Sequence, residues 1–211
     1  MTASSLIRAV VFDLDGTLYV SPEYAATIQS AAAAYMAGVL HMEVVDVCSL
    51  MDATRKRLAE ERGTVQTLSA VCTELGGDIR DLHAFFENIL LPEEFLVRDS
   101  RVTELIERLN RRFDLYIYTN NSRVMTKRIL EQLGLSRNFK RIFAIDDSWR
   151  SKPDGTILEQ VLTSTGFQAS EVLFVGDRYD VDLRLPEQKG CPIYLSQSVD
   201  QLLRLGEVLT Q

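Results

Sequence analysis

The sequence predicts an α/β fold: a parallel sheet with helices on both faces, interrupted by an all-helical insertion. Three observations carry this. The run Ala9–Phe12 is short, β-branched and aromatic, and two aspartates follow it at once, Asp13 and Asp15. From Phe95 onward, helix and strand patterns alternate, which implies right-handed crossovers and a parallel sheet. Between the two, over residues 22–91, no convincing strand pattern occurs.

Ala9–Phe12 is the first strand. In the insertion, helices are expected over residues 25–40, 43–62, 65–75 and 79–90, where Ala, Leu, Glu and Arg dominate. Breaks fall at Gly63 and Gly76-Gly77, and Pro92 closes the series. In the second part, Val102, Leu105, Ile106 and Leu109 mark one helix face, and residues 115–118 read as a strand. Ser122 caps a helix that Gly134 ends. Residues 142–145 read as a strand, 156–165 as a helix stopped by Gly166, and 172–175 as a strand. Pro186 is expected to open a short helix ending at Gly190. Residues 193–195 form a fifth strand, and Ser198 caps a last helix. The domain division that follows is a core from residues 1–18 and 96–211 and a helical cap from residues 19–95. An insertion directly after the paired aspartates can fold over them as a lid.

At 211 residues the chain can build a substantial core, and 46% hydrophobic with 25% charged residues is ordinary for a soluble protein. No apolar run reaches membrane-spanning length, and the start M-T-A-S-S-L-I-R lacks the apolar centre of a secretory signal. Three scattered cysteines, Cys48, Cys72 and Cys191, argue against a disulfide framework or a zinc site and for a cytoplasmic setting. With only His41 and His83 present, carboxylates must carry any chemistry. The net charge of −7 lies wholly in residues 19–95, with five Lys/Arg against twelve Asp/Glu. No basic stripe for nucleic acid is present.

Four short stretches stand at predicted strand ends, where open parallel sheets bind ligands. The first is V-V-F-D-L-D-G-T-L-Y at residues 10–19. Residues i and i+2 of a strand share a side, so Asp13 and Asp15 repel and need a cation or a shared proton. The second is Y-T-N-N-S at residues 118–122: the Thr119 hydroxyl and backbone N–H groups entering a helix offer an anion seat. The third is S-K-P-D-G, where Lys152 can neutralise a phosphate and a carboxylate. The fourth is V-G-D-R-Y-D-V-D-L, whose Asp177, Asp180 and Asp182 are hard oxygen donors suited to magnesium.

These four stretches, in this order, resemble the motifs of the haloacid dehalogenase-like (HAD) hydrolases. The resemblance spans residue 10 to about residue 195. It implies a Rossmann-like core and, by position and helicity, a helical cap inserted after the first motif. It also implies a magnesium-dependent phosphatase that cleaves a small phosphate monoester through an aspartyl-phosphate. In that reading Asp13 is the nucleophile and Asp15 the general acid and base. Thr119, Asn120 and Lys152 bind the phosphate. Asp13, Asp177 and the Asp15 carbonyl hold the metal, and Asp182 orients metal-bound water. Arg178 stands where Ser is common, and R-L-P at residues 184–186 replaces a small Gly-Ala. These departures leave open whether Asp180 or Asp182 is the second acid. A phosphomutase shares all four motifs and is the alternative; a phospho-acceptor module ranks lower. A dehalogenase needs no acid at position 15. The expected partner is a small-molecule phosphate ester, with no nucleic acid and no membrane. Specificity is expected in the insertion, with Arg55, or Tyr19 beside the first motif, as the candidate substrate contacts; for Arg55, a pairing back to Asp52 or a place over apolar surface with its charge in water ranks ahead of this.

Overall fold

The computed structural model describes residues 7–209. Residues 1–6, on which the reading of the N-terminus rests, lie outside the described residues. The chain divides into two compact units. One is the chain up to Val20 together with everything from Leu96 on; the other is Ser21–Phe95.

The first unit is a five-stranded, all-parallel sheet in the order β3-β2-β1-β4-β5. Its strands are β1 (Ala9–Phe12), β2 (Asp114–Tyr118), β3 (Arg141–Phe143), β4 (Val172–Gly176) and β5 (Ile193–Leu195). The central strand β1 is buried at every residue, so its apolar run has no polar alternation. Ala9 and Val11 face a cluster with Tyr116, Tyr118, Phe174 and the helix residues Ile157, Leu158 and Val161. Val10 and Phe12 are buried on the other face, where Phe12 meets the edge of Phe139. Helices follow the strands of this unit: α5 (Ser100–Asn110), α6 (Arg123–Gln132), α7 (Gly155–Thr165), α8 (Arg184–Gln188) and α9 (Val199–Val208), of which α5, α6, α7 and α9 are capped and bury one face. Asp99, Ser122, Asp154 and Ser198 accept hydrogen bonds from first-turn N–H groups of α5, α6, α7 and α9.

Register sets the site. Phe12 pairs with Ile117 on one side and Val175 on the other. The residues that follow β1, β2 and β4 therefore leave the same edge of three adjacent strands. The Asp13 N–H continues the ladder to the Val175 carbonyl at 2.8 Å.

The second unit holds α1 (Pro22–Leu40), α2 (Val44–Arg62), α3 (Leu68–Glu74) and α4 (Ile79–Ile89). Its core is built from Tyr24, Ala32, Met36, Val47, Leu58 and Leu82, all nearly inaccessible. Ser21 caps α1 with Pro22 at its first position, so α1 begins three residues earlier than the Ala pattern predicts. Val44, the first residue of α2, is exposed, whereas Val47, Met51 and Leu58 farther along the helix are buried. No single helix among the described residues is long and apolar enough to cross a membrane.

Two expectations fail in the first unit. The strand expected over 142–145 is β3 over Arg141–Phe143, because residues 145–147 turn into a short 3-10 helix whose Asp147 bonds the Ala144 N–H. Pro186 does not open a helix: a π-helical turn, Tyr179–Leu183, runs directly into α8, and Pro186 is its third residue.

Candidate active site

Lys152 is the buried centre of the site. Its ammonium donates to Asp13 Oδ1 at 2.6 Å, to Asp182 Oδ1 at 2.6 Å and to the Tyr118 carbonyl at 2.9 Å. It also lies 5.1 Å from the Tyr118 ring centroid. The side chain is 1% exposed, so all three donors are used within the protein. Burial works against its charge, but Asp13 and Asp182 outweigh it and the pKa is raised. The backbone N–H of Lys152 donates to Asn120 Oδ1 at 2.7 Å, which ties the loop after β3 to the end of β2.

Asp13 is 5% exposed and engaged at both oxygens, with the Thr17 hydroxyl donating to Oδ2 at 3.1 Å. Its pKa is pushed up to about 7, first by burial; Lys152 opposes this and Asp182 adds to it. One ammonium shared by two carboxylates leaves both short of counter-charge. Asp15 accepts from the Tyr19 hydroxyl at Oδ1 and from Asn121 Nδ2 at Oδ2, the latter at 2.6 Å. Burial raises its pKa although both hydrogen bonds favour the ion.

Asp177 and Asp182 come from the end of β4 and the π-helical turn. That wide turn brings Asp182 back, so its Oδ2 accepts the Arg178 N–H at 3.2 Å. Asp182, not Asp180, joins the site; Asp180 lies 3.7 Å from Arg184 Nε instead. Two glycines make room. A Cβ on Gly16, whose φ is +85°, would sit 2.5 Å from Asp177 Oδ2, and one on Gly176 would sit 2.5 Å from the Asp182 Cβ. Arg178 Nε lies 3.6 Å from Asp177 Oδ1 and 3.9 Å from Asp182 Oδ2. Burial pushes the Asp177 pKa up to about 6, with Arg178 opposing it.

Carboxylate oxygens of Asp13, Asp177 and Asp182 lie within 4.8 Å of one another, a group that can hold a metal ion. A hard divalent cation fits. Asp177 Oδ1 is buried without a hydrogen-bond partner, a site a cation can fill. Four carboxylates against Lys152 and Arg178 also leave a formal deficit that a divalent ion balances. Of Asp13, Asp177 and Asp182, only Asp177 keeps a buried oxygen without a hydrogen-bond partner; Asp13 and Asp182 each have both oxygens engaged.

The remaining sequence-assigned residues fall in two places. Thr119, 1% exposed, accepts the Asn121 N–H at 3.1 Å, so its hydroxyl closes the turn into α6. Asn120 Nδ2 is buried with no partner. Tyr19 belongs to the sheet unit and bonds Asp15. Arg55 belongs to the helical unit, where its guanidinium donates to Asp52 and to Gln29. Sequence reasoning missed Asn121 as a site residue. The signal was its doubling with Asn120, since Ser122 alone suffices to cap α6.

Fold and site together define a parallel α/β protein with a cluster of carboxylates at its strand ends. The chain belongs to the haloacid dehalogenase-like hydrolases, whose family pattern matches residues 7–187. It is 29% identical over 203 residues to a phosphoglycolate phosphatase of Salmonella choleraesuis, covering 88% of this chain and 79% of that protein. A phosphoglycolate phosphatase of Pseudomonas savastanoi pv. phaseolicola is 30% identical over 185 residues, covering 85% of this chain and 66% of that one. Among solved structures, a HAD phosphatase from Thermococcus onnurineus superposes with a TM-score of 0.66 at 18% identity, covering 96% of this chain and 98% of that one. A 2-haloacid dehalogenase from Pseudomonas syringae pv. Tomato has a TM-score of 0.60 at 21% identity, covering 97% and 98%. At such identities these two likenesses concern the fold alone.

Proposed function

We propose that the protein is a magnesium-dependent phosphatase that hydrolyses a small phosphate monoester through a phosphoryl group carried on Asp13. The observation that carries this reading is the Asp13 carboxylate held by Lys152 and Thr17, with a second carboxylate, Asp15, separately held two residues on. An Asp13 oxygen attacks phosphorus and the bond to the ester oxygen breaks. Asp15 gives its proton to the departing alkoxide, then takes one from the water that attacks the phosphorus. Phosphate leaves and the Asp13 carboxylate is restored. The Lys152 charge, the Thr119 hydroxyl and the Asn120 backbone N–H stabilise the charge on the transferring group. Asp13, Asp177 and the Asp15 carbonyl would hold magnesium, which offsets the repulsion between a carboxylate and an anionic phosphate. Asp182 keeps Lys152 charged and in place.

The relatives named phosphoglycolate phosphatase put a small carboxylated phosphate ester first among substrates. The test is a panel of phosphorylated metabolites headed by 2-phosphoglycolate, assayed with magnesium and with EDTA. Turnover with magnesium that EDTA abolishes supports the reading. Full activity in metal-free buffer, or release of halide from a haloacid, would refute it.

A further inference from the structure

We propose that Tyr19 and Asn121 are positioning residues that together fix the orientation of the Asp15 carboxylate. The proposal rests on the reading of Asp15 as the proton donor to the leaving group. The torsion that turns a carboxylate about its Cβ–Cγ bond is soft, so a carboxylate with one anchor still pivots. Asp15 has two anchors, one on each oxygen, and they come from different strand ends.

Tyr19 follows β1, four residues after Asp15, and a backbone bridge joins the two residues. This bridge sets the ring so that its hydroxyl meets Oδ1. Asn121 follows β2. Its N–H bonds the Thr119 hydroxyl at 3.1 Å, and its carbonyl accepts the Ile145 N–H at 3.0 Å. The backbone is thus pinned on both sides, and the side chain spans 2.6 Å to Asp15 Oδ2.

Ordinary structural duties do not account for these side chains. Ser122 caps α6 through its bond from the Met125 N–H, so Asn121 is not the cap. Tyr19 is 8% exposed, and a phenylalanine fills the same space without the hydroxyl. What the two polar groups share is Asp15. A proton donor must meet the leaving oxygen at hydrogen-bond distance, and small misplacements lower rates steeply.

The test compares Tyr19→Phe, Asn121→Ala and Asp15→Asn on an alkyl phosphate and on an activated aryl phosphate, whose leaving group needs little protonation. Asp15→Asn is expected to lose most on the alkyl ester. Each clamp variant should repeat that pattern with a smaller loss, about 10-fold or more in kcat on the alkyl ester, with a smaller loss on the aryl ester and KM little changed. Melting temperature and calorimetric magnesium binding near those of the parent check that the fold and the metal site persist. If Asp15→Asn shows the split but both clamp variants lose the two esters equally, or lose nothing, the clamp is overturned while the role of Asp15 stands. If Asp15→Asn shows no split, the acid reading fails and the clamp falls with it.

Discussion

The Lys152 ammonium lies 2.6 Å from the Asp13 carboxylate and makes the same contact with Asp182 on its other side. Removing this cation leaves two buried carboxylates uncompensated. Lys152→Met is expected to lower stability by about 3–5 kcal/mol, the usual cost of breaking a buried pair from one side. The loss in melting temperature should be smaller at pH 5 than at pH 7, because a carboxyl can take up a proton in place of the lysine. An unchanged melting temperature at pH 7 would remove Lys152 from its central role.

Stability of the metal-free protein should fall with rising pH. Burial raises Asp13 from its ordinary 3.8 to about 7, and Asp177 from 3.8 to about 6. Between those values the folded chain holds protons that the unfolded chain has lost. Raising the pH through this window removes them and stability declines. Thermal melts in EDTA from about pH 4 to about pH 7 measure the slope, and Asp13→Asn should flatten it. A rising profile would contradict the burial-driven shift.

Gly16→Ala should strike the metal site although no charged residue is substituted. The new methyl would stand 2.5 Å from Asp177 Oδ2 at a φ of +85°, so the loop or the carboxylate must move. Magnesium affinity by calorimetry is expected to weaken at least about 10-fold, as for Asp177→Ala, which removes a proposed ligand outright. Wild-type affinity in both variants would place the ion elsewhere.

Asp13→Asn should reduce turnover by at least roughly three orders of magnitude, because an amide cannot carry the phosphoryl group. Steady-state rates on the best ester from the panel test this, and near-parental turnover would refute the covalent route.

Substrate choice is proposed to lie in the helical unit. Arg55 is the side chain to examine, although Asp52 and Gln29 already engage it. Arg55→Ala is expected to raise KM for the preferred metabolite relative to KM for a small aryl phosphate. Equal changes for both, or none, would return Arg55 to a structural pairing.

Much of the core was readable in the sequence because the buried strands β1 and β4 are unbroken apolar runs, each closed by an aspartate. Four of the five strands sit where residues 9–12, 115–118, 172–175 and 193–195 indicate, and β3 is displaced. The exceptions are local. The end of β3 depends on Asp147 bonding back to Ala144, and the π-helical turn depends on Asp182 reaching the Arg178 N–H. Neither has a periodic signature. The same holds for Asn121: its contact with Asp15 spans 106 positions and follows from strand register, not from its neighbours.

The place of β1 in the sheet has a consequence for how the chain is made. It is the central strand, yet Ala9 pairs with Asp114 on one side and Val172 on the other. A ribosome therefore releases the middle of the sheet long before either flank exists. Until β2 and β4 emerge, an apolar segment with two unsatisfied edges waits in the nascent chain, where aggregation competes with folding. The helical unit, Ser21–Phe95, is synthesised in that interval. Asp13 meets its lysine only across 139 positions, and that lysine's second carboxylate, Asp182, comes later still, so nascent chains stopped short of Asp182 lack an assembled site.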